Sequence, residues 1–473
     1  MAEPEKDHHA PDFAYLSAAG QRRLHEASLE ILERVGAWLQ DEESVRLLRA
    51  AGAKVDEGGR VRLPPKRVEW ALATAPRSIR LCDREGRPRL PLEKGRVFFG
   101  PGSDCLYLLD HRTGERRLPT RHDVEQAVRV CEGLPNIDFL MSAFLPADVP
   151  PQQANRLQMR AMLEGSSKPI LFVTNDLESC QDVLRAAEAV AGGARALSER
   201  PSCACYINVT APLRHNSDSL QKLRLLAGKG IPTTYTPMVL RGVNGPVTSA
   251  GATALANAGE LVGLLLAQLV REGAPVIHSG GYVDVFDMRT MLDAYCGPES
   301  YGSRTSLAAW YGLPSFGLGG ASDSKLPDEQ AAAEAALTLM MESLAGVNLV
   351  HDLGYLESGK CCSLQMLAIC DELAGYVRHF LRGSEVSPET LALDLIAELG
   401  PEGDYLSSEH TVRHFREGWQ PTLFDRHHFE GWTAAGGKSL AQRARERVEE
   451  ILSAPSPVAL PPEPRRRIAE ILG

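Results

Sequence analysis

The chain has 473 residues, of which 44% are hydrophobic and 24% charged, a composition typical of a globular protein with a large buried core. It excludes a small disulfide-bonded scaffold, a collagen-like or coiled-coil protein and a disordered chain. Because 51 lysines and arginines stand against 61 aspartates and glutamates, for a formal net charge of -10, the sequence predicts no nucleic-acid partner.

No segment of the sequence predicts a membrane span or a secretion signal. The longest strongly apolar run, residues 261–270, has ten residues, whereas a membrane-spanning helix needs about 20. The first residues, MAEPEKDHH, are polar, unlike a signal peptide. The ten cysteines are spread along the chain without a CxxC pair, which is typical of reduced thiols. We therefore expect a cytoplasmic protein without membrane contact.

Residues 1–92 form the first predicted unit, an N-terminal helical cap. Apolar residues recur at helical spacing between Leu24 and Val35. A second helix is predicted over residues 42–51, and a third follows the two prolines at positions 64 and 65. Just beyond this unit, the turn sequence RTG at residues 112–114 separates two alternating segments and predicts a β-hairpin.

Residues 93–383 form the second predicted unit, in which short β-rich runs alternate with helical stretches. The predicted strands cover residues 97–100, 138–144, 169–174, 204–210, 232–238, 275–279, 314–318 and 348–352. Eight parallel strands, each followed by a helix, close into a (β/α)8 barrel, the TIM barrel. A doubly wound open sheet is the alternative, because the number of strands does not by itself establish closure.

Residues 384–473 form the third predicted unit, a C-terminal helical extension. Ser387 and Pro388 have the character of a helix cap and a first-turn proline, and Gly400 ends the helix that they begin. A further helix is predicted over residues 439–452, where arginine and glutamate recur at helical spacing. The predicted fold class is therefore α/β, a TIM barrel with a helical segment on each side.

The carboxyl ends of the predicted strands are rich in glycine, and in barrel enzymes these ends carry the reactive groups. They read FFGPGSD (98–104), HSGGYVDVFD (278–287), GLGGASDSK (317–325) and HDLGYLESG (351–359). Glycine lets the backbone approach a ligand closely, so the four ends together predict a wide mouth that accepts a ligand.

Two histidines, His278 and His351, fall at predicted strand ends. With a nearby carboxylate, Asp284 or Asp352, they could hold a metal ion, or they could serve as hydrogen-bond donors. Neither HxH nor HExxH spacing is present in the sequence, so we expect no bound metal.

Aromatic residues make up only 6% of the chain, yet several lie near predicted strand ends. They are Phe98, Phe99, Phe144, Tyr235, Tyr282, Phe286, Phe316 and Tyr355. Ring faces stabilise an ammonium group by up to about 2 kcal/mol when water is excluded, so such a rim favours a cationic substrate. Packing inside the barrel is the alternative explanation for each ring taken singly. Strand ends carry no GxGxxG, GxxxxGK[ST] or GxSxG pattern, which disfavours dinucleotide, nucleotide and serine-hydrolase chemistry.

Four strings follow one another along the chain: DMRT (287–290), DSKxxDxQ (323–330), HDLGYLESG (351–359) and EHTxxHFR (409–416). In this order they resemble the trimethylamine methyltransferase family, and the resemblance extends from about Leu16 through the C-terminal helices. Members of that family are (β/α)8 barrels that move a methyl group from a methylated amine to the cobalt of a separate corrinoid protein. The founding enzymes carry pyrrolysine and use trimethylamine. This sequence has only standard residues and so resembles the branch that acts on quaternary amines such as glycine betaine, proline betaine or carnitine.

The resemblance implies a corrinoid (cobalamin) carried by a cognate partner protein, a small methylated amine as substrate, and a homo-oligomer. It leads us to expect particular residues at the mouth. Phe99, Tyr282 and Tyr355 would form part of a cage for the cation. The candidates for a substrate carboxylate are His278, His351 and Arg304. Glu357 would balance the ammonium charge or order the loop after the eighth strand, and Glu357 and His351 are the predicted catalytic residues.

Two other functions stay open on the sequence alone. A zinc-dependent barrel methyltransferase or hydrolase would use His278 and His351 with a cysteine or carboxylate, and stoichiometric zinc in the purified protein would favour it. A non-catalytic amine-binding homologue would bind a betaine without methylating cob(I)alamin.

Overall fold

The computed structural model describes residues 7–9, 13–456 and 458–473, apart from the side chains of residues 7–9 and of Arg304. Its N-terminal part contains, in chain order, β1 (Asp7–His9), α1 (Ala18–Arg34), β2 (Ala37–Leu39), α2 (Glu42–Ala50), β3 (Lys54–Val55), β4 (Arg60–Arg62), α3 (Pro65–Thr74), β5 (Ile79–Cys82) and β6 (Pro88–Leu92). The predicted helices are present. The short strands between them, which the sequence analysis did not predict, add a small sheet and a hairpin to this part.

The middle part alternates strands and helices, as predicted. It contains β7 (Phe98–Pro101), β8 (Tyr107–Leu109), β9 (Arg116–Arg117), α4 (Arg121–Gly133), α5 (Pro151–Gly165), β10 (Ile170–Phe172), α6 (Leu177–Ala191), α7 (Ala194–Glu199), β11 (Cys203–Val209), β12 (Arg214–His215), α8 (Ser217–Lys229), β13 (Thr233–Arg241), α9 (Ser249–Val270), β14 (Val276–Ile277), β15 (Tyr282–Asp287), β16 (Leu292–Ala294), α10 (Ser303–Tyr311), β17 (Phe316–Leu318), α11 (Glu329–Leu344), β18 (Leu349–Leu353), β19 (Tyr355–Leu356), β20 (Cys361–Cys362) and α12 (Leu364–Leu381). The predicted hairpin is confirmed, because β8 and β9 pair antiparallel.

The C-terminal part is mainly helical. It contains β21 (Ser384–Val386), α13 (Pro388–Leu391), α14 (Leu393–Leu399), α15 (Glu409–His414), α16 (Phe429–Ala434), α17 (Leu440–Ser453) and α18 (Pro462–Leu472). The single helix predicted from Ser387 to Gly400 is wrong in one respect: Ala392, with φ of 48°, divides it into α13 and α14. The helix predicted near residues 439–452 is confirmed as α17, which Ser439 caps.

Parallel strands form the centre of the fold. One parallel set runs β10, β11, β13 and β14, and another runs β17, β18 and β7. Backbone hydrogen bonds connect β14 to β17, because His278 N donates to Pro314 O at 2.7 Å and Phe316 N donates to His278 O at 2.9 Å. The fold is therefore mixed α/β with a parallel sheet that extends across both sets.

The segment 138–144 connects β7 to β10 but is not the regular strand that the sequence predicts. Asp138 N donates to Phe99 O at 2.7 Å, and Leu140 N donates to Pro169 O at 2.8 Å, so the segment has a neighbour on each side. Ala143 has φ of 58°, which bends the chain and interrupts the regular pairing. Only isolated bridges at Leu140 and Phe144 remain in this segment.

Side chains from one face of the parallel strands form an apolar cluster with the hairpin of β5 and β6. The cluster contains Ile79, Leu81, Leu90, Leu92, Phe139, Met141, Leu171, Ala204, Tyr206, Ile277, Phe316 and Leu349. Cys82 N donates to Pro201 O at 2.8 Å, and Arg84 N donates to Ser167 O at 2.9 Å. Both acceptors precede parallel strands, so the hairpin covers the amino ends of the sheet. The carboxyl ends of the strands, which carry the reactive groups in barrel enzymes, lie at the opposite end of the sheet.

Helix α9 is long and apolar enough to cross a membrane by length and composition. Within the fold, 83% of its most apolar window is buried. The apolar run 261–270 noted in the sequence is thus part of a core helix, which packs against α1, α3, α8 and β13.

Candidate active site

A buried carboxylate at the end of β18 collects hydrogen bonds from three side chains. Nδ1 of His351 lies 2.6 Å from Oδ1 of Asp352. The Tyr282 hydroxyl donates to Oδ2 of Asp352 at 3.1 Å, and the Tyr295 hydroxyl donates to the same oxygen. The two tyrosines come from β15 and from the segment just after β16, so their hairpin is tied to β18 through one carboxylate. We call these four residues the Asp352 cluster.

The backbone around this cluster is unusual for its residue types. Asp352 has φ of 76°, a left-handed conformation that costs a non-glycine residue about 1 kcal/mol or more. A Cβ at Gly102 would lie 2.1 Å from Cζ of Tyr355 and 2.3 Å from Oδ1 of Asp352. Only glycine at position 102 lets the loop after β7 pack this closely against Tyr355 and Asp352. Such a constrained backbone at the end of a strand is typical of a functional site.

His351 lies between the carboxylate and the apolar interior. Its ring stacks on Phe316 at a centroid distance of 4.1 Å and an interplanar angle of 13°, and the Tyr206 ring lies 5.8 Å away. Nε2 is buried and has no hydrogen-bond partner among the described residues. With Nδ1 fixed by Asp352, Nε2 is the ring atom left to meet a ligand.

Tyr355 and Asp104 lie next to the Asp352 cluster. The Tyr355 hydroxyl donates to Ser103 O. Oδ1 of Asp104 accepts from Ser142 Oγ at 3.0 Å and from Gln158 Nε2 at 2.7 Å. Burial raises the pKa of Asp104 and raises that of the Tyr355 phenol well above its usual range. The phenol therefore stays protonated at neutral pH.

Two carboxyl groups, the buried Asp352 and the partly buried Asp104, lie near tyrosine rings in this region. Among the side chains that the structure describes, Asp352 pairs with the His351 ring, and neither Asp104 nor Asp352 forms an ion pair with lysine or arginine. Buried carboxylates are normally paired with a cation, because an unpaired buried charge is costly. Carboxyl groups and tyrosine rings are the groups that stabilise an organic cation.

The sequence profile of the trimethylamine methyltransferase family matches residues 2–472. The chain belongs to this family. It is 33% identical over 442 residues to a trimethylamine methyltransferase of Desulfitobacterium hafniense, covering 93% of this chain and 89% of the relative. It is 32% identical over 461 residues to a glycine betaine methyltransferase of D. hafniense, covering 96% and 95%. The resemblance drawn from the four sequence strings is thus confirmed, and the chain is a methyltransferase that acts on methylated amines.

A solved structure supports the same fold. The crystal structure of the Methanosarcina barkeri monomethylamine methyltransferase aligns with a TM-score of 0.51 at 12% identity, covering 93% of this chain and 89% of that one. At 12% identity this similarity supports the fold and nothing beyond it.

Not all the residues predicted for the mouth lie there. Phe99 is fully buried and packs in the layer between strands and helices, with the Arg378 guanidinium carbon 5.2 Å from its ring centre. Its neighbour Phe98 packs instead against the interior cluster. Side chains alternate across a strand, so only one of two successive phenylalanines can face inward. The predicted cage position of Phe99 is therefore corrected to an outward-facing core position.

His278 also faces outward, away from the Asp352 cluster. Its Nε2 lies 3.1 Å from Oδ1 of Asn257 and 3.6 Å from Oε2 of Glu260, both on α9. Burial lowers the pKa of His278 to about 3, so the ring is neutral. Because His278 packs against α9 and His351 packs in the interior cluster, the two histidines do not converge on one ligand. The metal pair weighed in the sequence analysis is thus not assembled.

The remaining predicted residues are placed as follows. Tyr282, His351 and Tyr355 come together around Asp352 and Gly102, whereas Glu357 pairs with Arg116, whose Nε lies 2.6 Å from Oε2. Arg304 belongs to α10, but its side chain lies outside the described residues. From the sequence, Asp352 is only a possible metal ligand, and nothing marks Tyr295 as a site residue. Tyr295 lies far from every predicted strand end. It reaches the site through the hairpin of β15 and β16, which the sequence does not predict.

Neutralising Glu357 is expected to change the methyl-transfer rate by less than about threefold. Its pair with Arg116 is partly exposed, and such pairs contribute roughly 0–1 kcal/mol. The measurement is the rate of methylcobalamin formation by E357Q. The control, E199Q, removes the exposed pair with Arg195. A drop of 100-fold or more confined to E357Q would instead make Glu357 a catalytic group.

Proposed function

We propose that this methyltransferase moves an N-methyl group from a quaternary amine similar to glycine betaine to the cobalt of a corrinoid protein. The observation that carries the proposal is the Asp352 cluster, a buried carboxylate among tyrosine rings. The relative named glycine betaine methyltransferase, which aligns over nearly the full length of both chains, supports the same substrate class.

A quaternary ammonium needs no general acid. When its methyl carbon is attacked, the carbon–nitrogen bond breaks and nitrogen keeps the electron pair, so a neutral tertiary amine leaves without a proton. The protein needs chiefly to bind the cation, orient one N-methyl group toward the mouth and exclude water. We assign the cation to Tyr282, Tyr295 and Tyr355, whose rings lie near the carboxyl groups of Asp104 and Asp352.

The far end of a betaine carries a carboxylate. We assign it to His351, whose Nε2 has no partner among the described residues while Asp352 holds Nδ1. Arg304 at the start of α10 stays a candidate for the same carboxylate. His278 is no longer a candidate for direct contact, and we assign Glu357 to ordering the loop after β18.

The methyl acceptor that we propose is a corrinoid held by a separate partner protein. Reduced cobalt in such a corrinoid is a strong nucleophile toward a methyl carbon. The carboxyl-end face suits a large flat partner, because loops that follow β7, β9 and β15 expose apolar side chains there. Each of these is more than half exposed: Leu106, Leu118, Met288 and Met291.

We further propose that the parallel segments close into a complete (β/α)8 barrel over residues 93–383, with residues 1–92 as a cap and 384–473 as an extension. The support is the sequence of pairings and bridges that links β7 through 138–144 to β10, and β14 to β17. We also propose a cytoplasmic homo-oligomer. The exposed apolar side chains of the extension support self-association, namely Leu393, Leu406, Val412 and Phe429.

Removing the Tyr355 ring is expected to weaken binding of glycine betaine about tenfold, because one ring face contributes up to about 2 kcal/mol to a desolvated cation. The measurement is titration calorimetry of wild type and Tyr355→Ala, with methylcobalamin formation from cob(I)alamin as the second readout. Tyr376→Ala is the control, because that ring is half exposed and packs on Trp419. Equal affinities of wild type and Tyr355→Ala, for an amine that the wild type demethylates, would remove Tyr355 from the cage.

A further inference from the structure

A fully buried glutamate on α9 holds the turn that leads into Tyr282. Glu260 lies on the face of α9 toward the sheet. Its Oε1 accepts a hydrogen bond from Ser279 N at 2.6 Å, and its Oε2 accepts one from Gly281 N at 3.1 Å. The turn 279–281 connects β14 to β15, and Tyr282 follows it directly. One carboxylate thus fixes the backbone on both sides of the turn.

The turn depends on two glycines, one of which packs closely against α9. Gly280 and Gly281 have φ of 70° and 73°, which disfavours other residues. A Cβ at Gly281 would lie 2.6 Å from Cβ of Ala256 on α9. Gly281 N also donates to Oγ of Ser279 at 3.1 Å, so in this buried turn the carboxylate supplies the acceptor for Ser279 N and a second acceptor for Gly281 N.

The position of Tyr282 decides the geometry of the Asp352 cluster. Its hydroxyl lies 2.5 Å from that of Tyr295 and donates to Asp352 at 3.1 Å. Asp352 in turn fixes Nδ1 of His351. A shift of the turn by even 1 Å would separate these groups, and misplacement on that scale slows catalysis markedly.

We propose that Glu260 is a positioning residue for methyl transfer, acting through the turn 279–281 on Tyr282. This inference rests on the proposed function, since it takes Tyr282 to line the substrate site. Glu260 touches neither substrate nor acceptor. It accepts backbone hydrogen bonds, and the carboxylate form accepts more of them than the carboxylic acid or an amide does.

The groups that face Glu260 come from several elements. His278 lies just after β14, and its Nε2 is 3.6 Å from Oε2 of Glu260 and 3.1 Å from Oδ1 of Asn257, which is also on α9. Asn257 also donates to the Tyr311 hydroxyl on α10 at 3.0 Å. That hydroxyl lies 2.9 Å from Nδ1 of His25 on α1, whose Nε2 lies 2.7 Å from Oε1 of Glu69 on α3. Among the described residues no lysine or arginine pairs with Glu260.

The ionisation of Glu260 lies near neutral pH. Burial raises its pKa to about 8, although the backbone N–H groups of the turn act in the opposite direction. Deprotonation above this pKa restores the second acceptor to the turn, so the methyl-transfer rate should rise with pH from about 7 to 9. A quaternary amine has no titrating proton, so the substrate does not contribute to this rise.

The stability of the protein should change in the opposite sense. A carboxyl group whose pKa is higher in the folded chain than in the unfolded chain contributes stability below the unfolded value, and this stability is lost as pH rises through the folded value. Relative to E260Q, the melting temperature of the wild type should therefore fall between about pH 5 and 9.

The test compares E260Q, E260D and E372Q with the wild type in methylation of cob(I)alamin by glycine betaine, from pH 6.5 to 9.5. Glu372 is a matched buried carboxylate that accepts from Thr422 N at 3.1 Å and Phe424 N at 2.9 Å on the C-terminal part. We expect E260Q to lose about tenfold or more in kcat, with a flat pH profile and little change in the calorimetric affinity for glycine betaine. E260D should keep a pH-dependent rate at a lower level, and E372Q should keep the wild-type profile.

Asp293 needs its own variant, because burial and the nearby Asp323 raise its pKa to about 7. A pH rise that survives in E260Q but vanishes in D293N would overturn the inference, as would a wild-type rate and profile in E260Q or an equal loss in E372Q. If E260Q does not fold, E260D decides the matter: a wild-type rate and profile would overturn the inference, and a lowered pH-dependent rate would support it. A wild type that demethylates no quaternary amine would overturn the proposed function. An active wild type whose rate is unchanged in the Glu260 variants would overturn only the inference about Glu260.

Discussion

Replacing Asp352 by asparagine is expected to slow methyl transfer about 100-fold while the protein stays folded. The carboxylate holds Nδ1 of His351 and the hydroxyls of Tyr282 and Tyr295, and hydrogen bonds to a charged group contribute roughly 1.5–3 kcal/mol each. Asparagine keeps the size of the side chain and tolerates the left-handed φ of 76°. The effect should therefore come from lost charge and acceptor capacity rather than from backbone strain.

The measurement is the initial rate of methylcobalamin formation by D352N, with its melting temperature measured in parallel. The matched control is D371N. Asp371 is another buried aspartate, which accepts from Asn136 N at 2.6 Å on the outer side of the sheet. D371N should keep the rate within about threefold. A D352N rate within threefold of wild type would show that the cluster does not organise the site.

Replacing Gly102 by alanine is expected to lower both stability and activity. The new Cβ would lie 2.1 Å from Cζ of Tyr355 and 2.3 Å from Oδ1 of Asp352, so ring and carboxylate must both move. Overpacking of this kind typically costs 1–3 kcal/mol in the free energy of unfolding. The rate should fall by more than about tenfold, because the displaced groups line the proposed cation site.

Denaturant unfolding and the methylation assay measure the two effects of G102A. Gly228→Ala is the control, because Gly228 lies in α8 and a Cβ there would meet only Cγ1 of Val270 at 3.8 Å. Alanine in a helix is favoured over glycine by up to about 1 kcal/mol, so G228A should be neutral or stabilising. Unaltered stability and rate in G102A would contradict the packing described around Tyr355.

The order of strands and helices in the middle of the chain was predictable, whereas the face that each side chain takes was not. Strands buried on both sides read as continuous apolar runs, so the sequence does not mark which neighbour points inward. Phe98 and Phe99 are equivalent as letters, and Ile277 precedes His278 without an alternating pattern. The register that turns Phe98 and Ile277 inward, and Phe99 and His278 outward, follows from pairing with neighbouring strands.

Neither Tyr295 nor Glu260 is predicted from the sequence, and the reasons differ. Tyr295 reaches the site only because β15 and β16 form a hairpin, and the turn between them lacks the glycine pairs that mark such turns. Glu260 did carry a signal. It is a single carboxylate inside the most apolar helix of the chain, and an isolated buried charge usually has a specific partner.

The most direct test of the proposed reaction is transfer of an isotopically labelled methyl group. Glycine betaine with deuterated N-methyl groups is incubated anaerobically with the wild-type protein and cob(I)alamin, and both products are measured by mass spectrometry. We expect one labelled methyl group in methylcobalamin for each molecule of dimethylglycine formed. Absence of labelled methylcobalamin with glycine betaine, proline betaine and carnitine, from folded protein supplied with its corrinoid partner, would contradict the account.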